Sequence, residues 1–236
     1  MSQLTIDTQV ADIVNTFPES MDLFRELRID FCCGGKIPLK EAAEEQNLAP
    51  EDILSRINDI KENEGNQGSF DLMAFGNKTL VAYIQETYHE PLEKELTALR
   101  EYISTIVRVH GDSHPHLFNV EKVFAELSTD LLEHTIVEDT NDFPIILEFL
   151  KHPDNEELKE KVKPCVDNLE EDHAHAGELL FEIRDLTNDY TPPENACNTY
   201  QLVYKRLEQL EKNTFTHVHL ENNILFKRVI NAMQPA

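Results

Sequence analysis

The chain has 236 residues, 40% hydrophobic and 28% charged, which is enough apolar material for a sizeable core in one long domain or two. Its formal charge of -24 argues against nucleic acid or an anionic membrane surface as a partner and favours a cation. There is no apolar leader and no run of about 18 apolar residues, and the four cysteines lack the spacing of a disulfide framework, so the chain reads as a soluble cytoplasmic protein.

Residues 1–63 carry four short amphipathic segments, "TQVADIVNTF", "PESMDLFRELRI", "PLKEAAEEQN" and "PEDILSRINDIKENE", with Pro18 and Pro50 at first-turn positions. Between the second and third lie Cys32, Cys33, Gly34 and Gly35, behind the apolar "RIDF". Paired glycines permit close approach of another group to the backbone. Adjacent thiols can offer sulfur ligands to a metal in transit or bind nitric oxide. The plainer alternative, Cys33 packed in a small core, accounts for only one of the two, and a vicinal disulfide is strained. Cys165 and Cys197 read as packing residues. Residues 64–74, built around "NEGNQGSFD", read as a linker.

Residues 75–236 then hold four long helical stretches, roughly 77–110, 115–151, 156–188 and 194–232, separated by "HGDSHPH", "KHPDNEE" and "NDYTPPENA". Four long helices with short connections predict an all-α, up-down-up-down four-helix bundle. Pro91 and Pro144 are expected to kink their helices.

The buried stripes of these helices carry unexpected residues. At 3–4 spacing the first runs His89, Leu92, Leu96, Leu99, Ile103, Ile106. The second runs Val120, Phe124, Leu127, Leu131, His134, Glu138, and the third Val166, Leu169, His173, Ala176, Leu180, Ile183. The fourth passes through Val203, Leu207, Leu210 and Thr214 to His217 and Glu221. A buried carboxylate without compensation is very costly. Two of them, four imidazoles and one histidine per stripe make poor core residues and good metal ligands. Six donors are too many for one tetrahedral zinc. They suit two metals, each with two imidazoles and both carboxylates bridging, and an N/O set points to iron or manganese more than to structural zinc. A lone core histidine such as His89, or one His-x-x-x-Glu pair, would carry little by itself.

The remaining histidines are set aside. His110 shares a stripe with His89, but 21 residues of helix span about 31 Å, so His110 belongs to a helix end or a channel mouth. His175 and His219 lie two residues from a stripe histidine and face elsewhere, and His114, His116 and His152 read as surface residues. Asp130, one turn before His134, and Asp172, beside His173, are candidates to hold an imidazole tautomer or to line a proton path.

These positions, with "DFCCGG", "YHEPL", "LLEHTIVEDTNDFP", "DHAHAGELL", "PPENACNTY" and "HVHLENNILF", resemble the RIC (repair of iron centres) family, the YtfE/ScdA-type proteins, over essentially the whole chain and most closely in its ScdA branch. The resemblance implies a small helical ScdA-type N-terminal domain before a hemerythrin-like bundle with a non-haem, oxo-bridged di-iron centre. Its ligands fall on His89, His134, Glu138, His173, His217 and Glu221. It further implies repair of iron–sulfur clusters damaged by nitrosative or oxidative stress, with damaged cluster proteins as partners, nitric oxide as a small ligand, a functional role for Cys32 and Cys33, and a homodimer. Reduction of nitric oxide to nitrous oxide, or a hemerythrin-like oxygen or nitric oxide carrier or sensor, are the alternatives. At Asp130 and Asp172 the family pattern has the longer glutamate, so its channel and relay roles are not carried over to them.

Overall fold

The computed structural model of the protein describes residues 4–64 and 72–234, so most of the expected linker lies outside the described residues. Contacts gather into two units, one of residues 1–80 with 215–234 and the other of residues 81–214.

In the first unit, helices α1 (Val10–Thr16), α2 (Ser20–Glu26), α3 (Leu39–Glu45) and α4 (Pro50–Glu64) each carry an acidic residue in the first turn, where it complements the helix dipole. Helices this short are marginal alone. They are held by burying Val10, Ile13, Phe24, Leu39 and Ile57, all fully enclosed. Arg28 and Asn47 follow α2 and α3 with φ of 57° and 56°, the left-handed turn that ends a helix. Pro50 opens α4, whereas Pro18 stands outside α2, which starts at Ser20 behind its cap Glu19. The stretch after the cysteines is stitched to the start of α1: Ala11 N–H donates to Gly35 O (2.9 Å) and Val10 N–H to Ile37 O (3.1 Å). A Cβ on Gly35 would stand 2.5 Å from the Phe31 carbonyl oxygen, so this position requires glycine. The C-terminal end of the fourth long helix belongs here too, with Lys227 bonded to Asp12 (2.8 Å) and Arg228 to the Phe75 carbonyl (2.9 Å).

The second unit holds the bundle. Helix α5 (Asn77–Ile84) runs through a π turn, Gln85–His89, into α6 (Glu90–His110). Helix α7 (His116–Val137) runs through a second, Glu138–Asp142, into α8 (Phe143–Lys151). Helix α9 (Glu156–Leu186) is unbroken around Pro164. Helix α10 (Asn198–Leu220) leads through a third π turn, Glu221–Leu225, to α11 (Phe226–Met233). Within the unit α6 packs on α7, and α7 and α8 on α9. Helix α10 is tied to α6 by a two-pronged Arg206–Glu95 pair (2.8 and 2.7 Å) and to α7 by Tyr204 and His116 (2.9 Å). Apolar stripe residues such as Leu99, Leu127, Leu169 and Leu207 are buried as their spacing predicts. No strand occurs among the described residues, and the chain is all-α.

Where kinks are expected, the helices pass through the first two π turns. Each ends two residues before a proline in the first turn of the next helix, Pro91 in α6 and Pro144 in α8. A proline lacks the N–H and crowds the carbonyl four residues back, which favours a wider turn just upstream. The third π turn contains no proline.

Candidate metal centre

Four of the six expected ligands lie in the bundle unit. His89 closes the first π turn, His134 sits in the last turn of α7, Glu138 opens the second π turn and His173 is mid-α9. Glu138 is fully enclosed. Its Oε2 lies 3.2 Å from His134 Nε2 and 3.6 Å from His89 Nε2, and its Oε1 lies 3.9 Å from His173 Nε2. His134 Nε2 and His173 Nε2 are 2.9 Å apart. Two nitrogens bound at about 2.1 Å on adjacent positions of one octahedral ion stand about 3 Å apart, so this pair has the spacing of co-ligands. An N–H···N bond would explain the imidazole pair alone, but not the enclosed carboxylate facing three imidazole nitrogens.

The outer ring nitrogens have acidic partners. His89 Nδ1 is 2.9 Å from Asp139 Oδ1, which also accepts from Gln85 Nε2 (3.0 Å), and the ring stacks on Phe143 at 5.8 Å. Asp172 Oδ2 lies 3.4 Å from His134 Nδ1. A carboxylate at Nδ1 favours the proton there and leaves Nε2 with the lone pair that a cation would need. Asp130 does not take this position. It stands 3.5 Å from His175 Nε2, beside Glu126, because a side chain one turn before His134 leans further toward the start of α7. Asp139 lies off the buried stripe, so helical spacing gives no sign of its role.

The other two expected ligands belong to the first unit. His217 and Glu221 stand one turn apart, 2% and 0% exposed, with donor atoms within 4.8 Å of each other. The third π turn begins at Glu221, as the second does at Glu138. Such turns are rare and gather at functional positions. His219 points the other way, as its offset predicts. Its Nδ1 is 3.1 Å from the Phe31 carbonyl, its Nε2 is 3.0 Å from Asn15 Oδ1, and burial lowers its pKa to about 4.

Beside it, the cysteine motif is tightly held. Asp30 Oδ1 accepts from the N–H groups of Cys32 and Cys33 (both 2.9 Å) and from the Cys32 thiol (3.3 Å), and Oδ2 accepts from Gly34 N–H (2.8 Å). The Cys32 carbonyl accepts from the side-chain amides of Asn222 (3.2 Å) and Asn223 (2.8 Å). The buried cysteine is Cys32, and Cys33 is half-buried, so the alternative that placed Cys33 in a core is reversed. The hydrogen bond with Cys33, burial and the Asp30 charge all raise the Cys32 pKa well above its ordinary value.

The remaining residues are placed as follows. His110 is the last residue of α6, with Nε2 3.3 Å from Cys197 Sγ. Cys197 is exposed there and is not a packing residue, because it lies in the loop before α10. Cys165 is half-buried and donates to the Lys161 carbonyl (3.2 Å). His116 is not a free surface histidine: it sits between the hydroxyls of Tyr204 (2.9 Å) and Tyr200 (3.2 Å), and burial, then His114, lowers its pKa. No described helix is long and apolar enough to cross a membrane.

The hemerythrin HHE cation-binding domain family matches residues 81–229, which include all six expected ligands, and the ScdA_N domain of unknown function matches residues 6–61. The chain is 37% identical to the iron-sulfur cluster repair protein ScdA of Staphylococcus epidermidis over 96% of its length and 99% of the relative's. It is 36% identical to ScdA of Staphylococcus haemolyticus, over 95% and 99%. It is 29% identical to the iron-sulfur cluster repair protein YtfE of Dickeya chrysanthemi, over 95% and 97%.

Proposed function

We propose that this chain, which belongs to the family of the ScdA and YtfE proteins and carries their hemerythrin-type cation-binding domain, is a di-iron protein that repairs iron–sulfur clusters. The observation that carries the reading is the enclosed Glu138 carboxylate facing the Nε2 atoms of His89, His134 and His173. His89, His134, Glu138 and His173, together with His217 and Glu221, would be the residues that hold the irons. Imidazole and carboxylate without thiolate suit iron. Such a pair would supply coordination positions for a small ligand such as nitric oxide, and a store of iron for a damaged cluster.

The chain's own groups have distinct parts. Glu138 and Glu221, both fully buried, would offset the charge of the cations. Asp139 and Asp172 fix the Nδ1 protons of His89 and His134, and Phe143 covers the His89 ring. The work divides between an N-terminal segment, 1–63, whose Cys32 and Cys33 handle metal or nitric oxide, a connecting segment, 64–74, and the metal-holding bundle, 75–236. The partners are damaged iron–sulfur proteins in the cytoplasm, and the protein acts as a homodimer.

A second reading is reduction of two nitric oxide molecules to nitrous oxide and water, with two protons and with two electrons from an external reductant, for which the same residues would hold the redox metal. Incubation of an enzyme whose cluster has been destroyed by nitric oxide, with and without the iron-loaded protein, separates the two. Recovery of the enzyme without nitrous oxide release supports repair. Nitrous oxide release without recovery transfers the function to the second reading.

A further inference from the structure

We propose that Asp30, Cys32 and Cys33 form a second cation site, a chelate of two thiolates and one carboxylate for a divalent transition ion. The inference rests on the repair reading in giving the thiol pair a metal-handling role, and it supplies that role with a third donor and a defined geometry. Cys32 Sγ and Cys33 Sγ are 3.6 Å apart, and Cys32 Sγ and Asp30 Oδ1 are 3.3 Å apart. Two sulfurs bound tetrahedrally at about 2.3 Å stand about 3.8 Å apart, and a sulfur and an oxygen on the same ion about 3.6 Å. All three donors already lie within 4.8 Å of one another. The cation would enter a near-formed triangle with small side-chain movement.

The triangle is fixed from outside. Three backbone N–H groups hold the Asp30 carboxylate. Asn222 and Asn223 hold the Cys32 carbonyl, and His219 and Asn223 hold that of Phe31. Little ordering is left for an ion to impose, which favours affinity. A capping role for Asp30 explains the N–H bonds but not why both sulfurs turn to the same side as its carboxylate. Asn222 and Asn223 also follow Glu221 directly, so the chelate is fastened to the π turn that begins at a proposed iron ligand.

Binding is a proton exchange with no change of oxidation state. The ion takes both thiolates, and the two thiol protons leave to solvent, the Cys32 proton from its bond to Asp30 Oδ1. Half-buried Cys33 is the side from which the ion arrives. Sulfur donors with one hard oxygen suit Fe²⁺, Zn²⁺ and Co²⁺.

The test is a Co²⁺ titration of the full-length, iron-loaded protein in a Cys165→Ser, Cys197→Ser background, with iron measured on the same sample. The expected result is thiolate-to-cobalt charge-transfer absorption saturating at one equivalent. Asp30→Asn keeps a cap on the turn and is expected to weaken binding at least tenfold with iron unchanged. Cys33→Ser, at a half-buried position outside the core, is expected to weaken it at least a hundredfold. Absence of the absorption in protein that holds its iron overturns the proposal, as does equal affinity in the parent and both variants. Cobalt binding by protein that takes up no iron would leave this site standing and remove the di-iron reading instead.

Discussion

His134 and Glu138 stand one helical turn apart with Nε2 and Oε2 separated by 3.2 Å, and the helix widens into a π turn at the glutamate itself. The pair is a sequence pattern, His-x-x-x-Glu, made into a directed one: the imidazole and the carboxylate converge while the following turn changes the phase of the helix. Glu138→Leu removes the group facing three imidazoles. Iron content is expected to fall below one per chain, and magnetic coupling between irons to disappear, with helicity retained. Two irons held as tightly in this variant as in the parent would show that Glu138 is not a ligand.

Asp139 was invisible to stripe counting and is the partner of His89 Nδ1. Loss of such a partner weakens metal binding by about 10- to 100-fold. Asp139→Ala is expected to show that loss in chelator competition, and Asp139→Asn a smaller one, because an amide oxygen still accepts the proton. Asp130→Ala, whose carboxylate meets His175 instead, is expected to leave iron affinity unchanged.

The thiols should react in a set order. Burial first, and then the Asp142 charge, raise the Cys165 pKa to about 11. At pH 8 about one molecule in a thousand then carries the reactive thiolate. Cys32 is buried and its pKa is raised, whereas Cys197 is exposed. Alkylation followed by mass spectrometry is expected to label Cys197 first and Cys32 and Cys165 last. As pH rises toward 11 the Cys165 rate should climb. Early modification of Cys165 at pH 8 would contradict this.

Residues 1–80 and 215–234 share one unit, and this bears on truncation. A chain beginning at Phe75 loses Asp12 from Lys227, Asn15 from His219 and the Phe31 and Cys32 carbonyls from Asn223. Unmade bonds to buried polar groups cost about 1–3 kcal/mol each. The fragment is expected to melt well below the full chain in thermal unfolding followed by circular dichroism. An unchanged midpoint would mean that the N-terminal helices contribute nothing to residues 215–234.

The bundle and its stripe ligands were legible because burial repeats every 3–4 residues and a histidine or glutamate on that stripe stands out against leucine. The π turns were legible only as proline kinks, and the one at Glu221 not at all, since no proline marks it. Asp139 is set by that altered phase. The hold of Asn222, Asn223 and His219 on the cysteine motif joins residues about 190 positions apart, a pairing that no local pattern encodes. The inversion of Cys32 and Cys33 is local instead: Asp30 accepts from both their N–H groups and from the Cys32 thiol alone.

The account stands most directly on the metal content of the full-length protein purified from iron-replete cells, read with Mössbauer spectroscopy on the same preparation. It predicts close to two irons per chain, magnetically coupled through bridging ligands. One tightly held zinc, with no iron taken up on reconstitution, would contradict it.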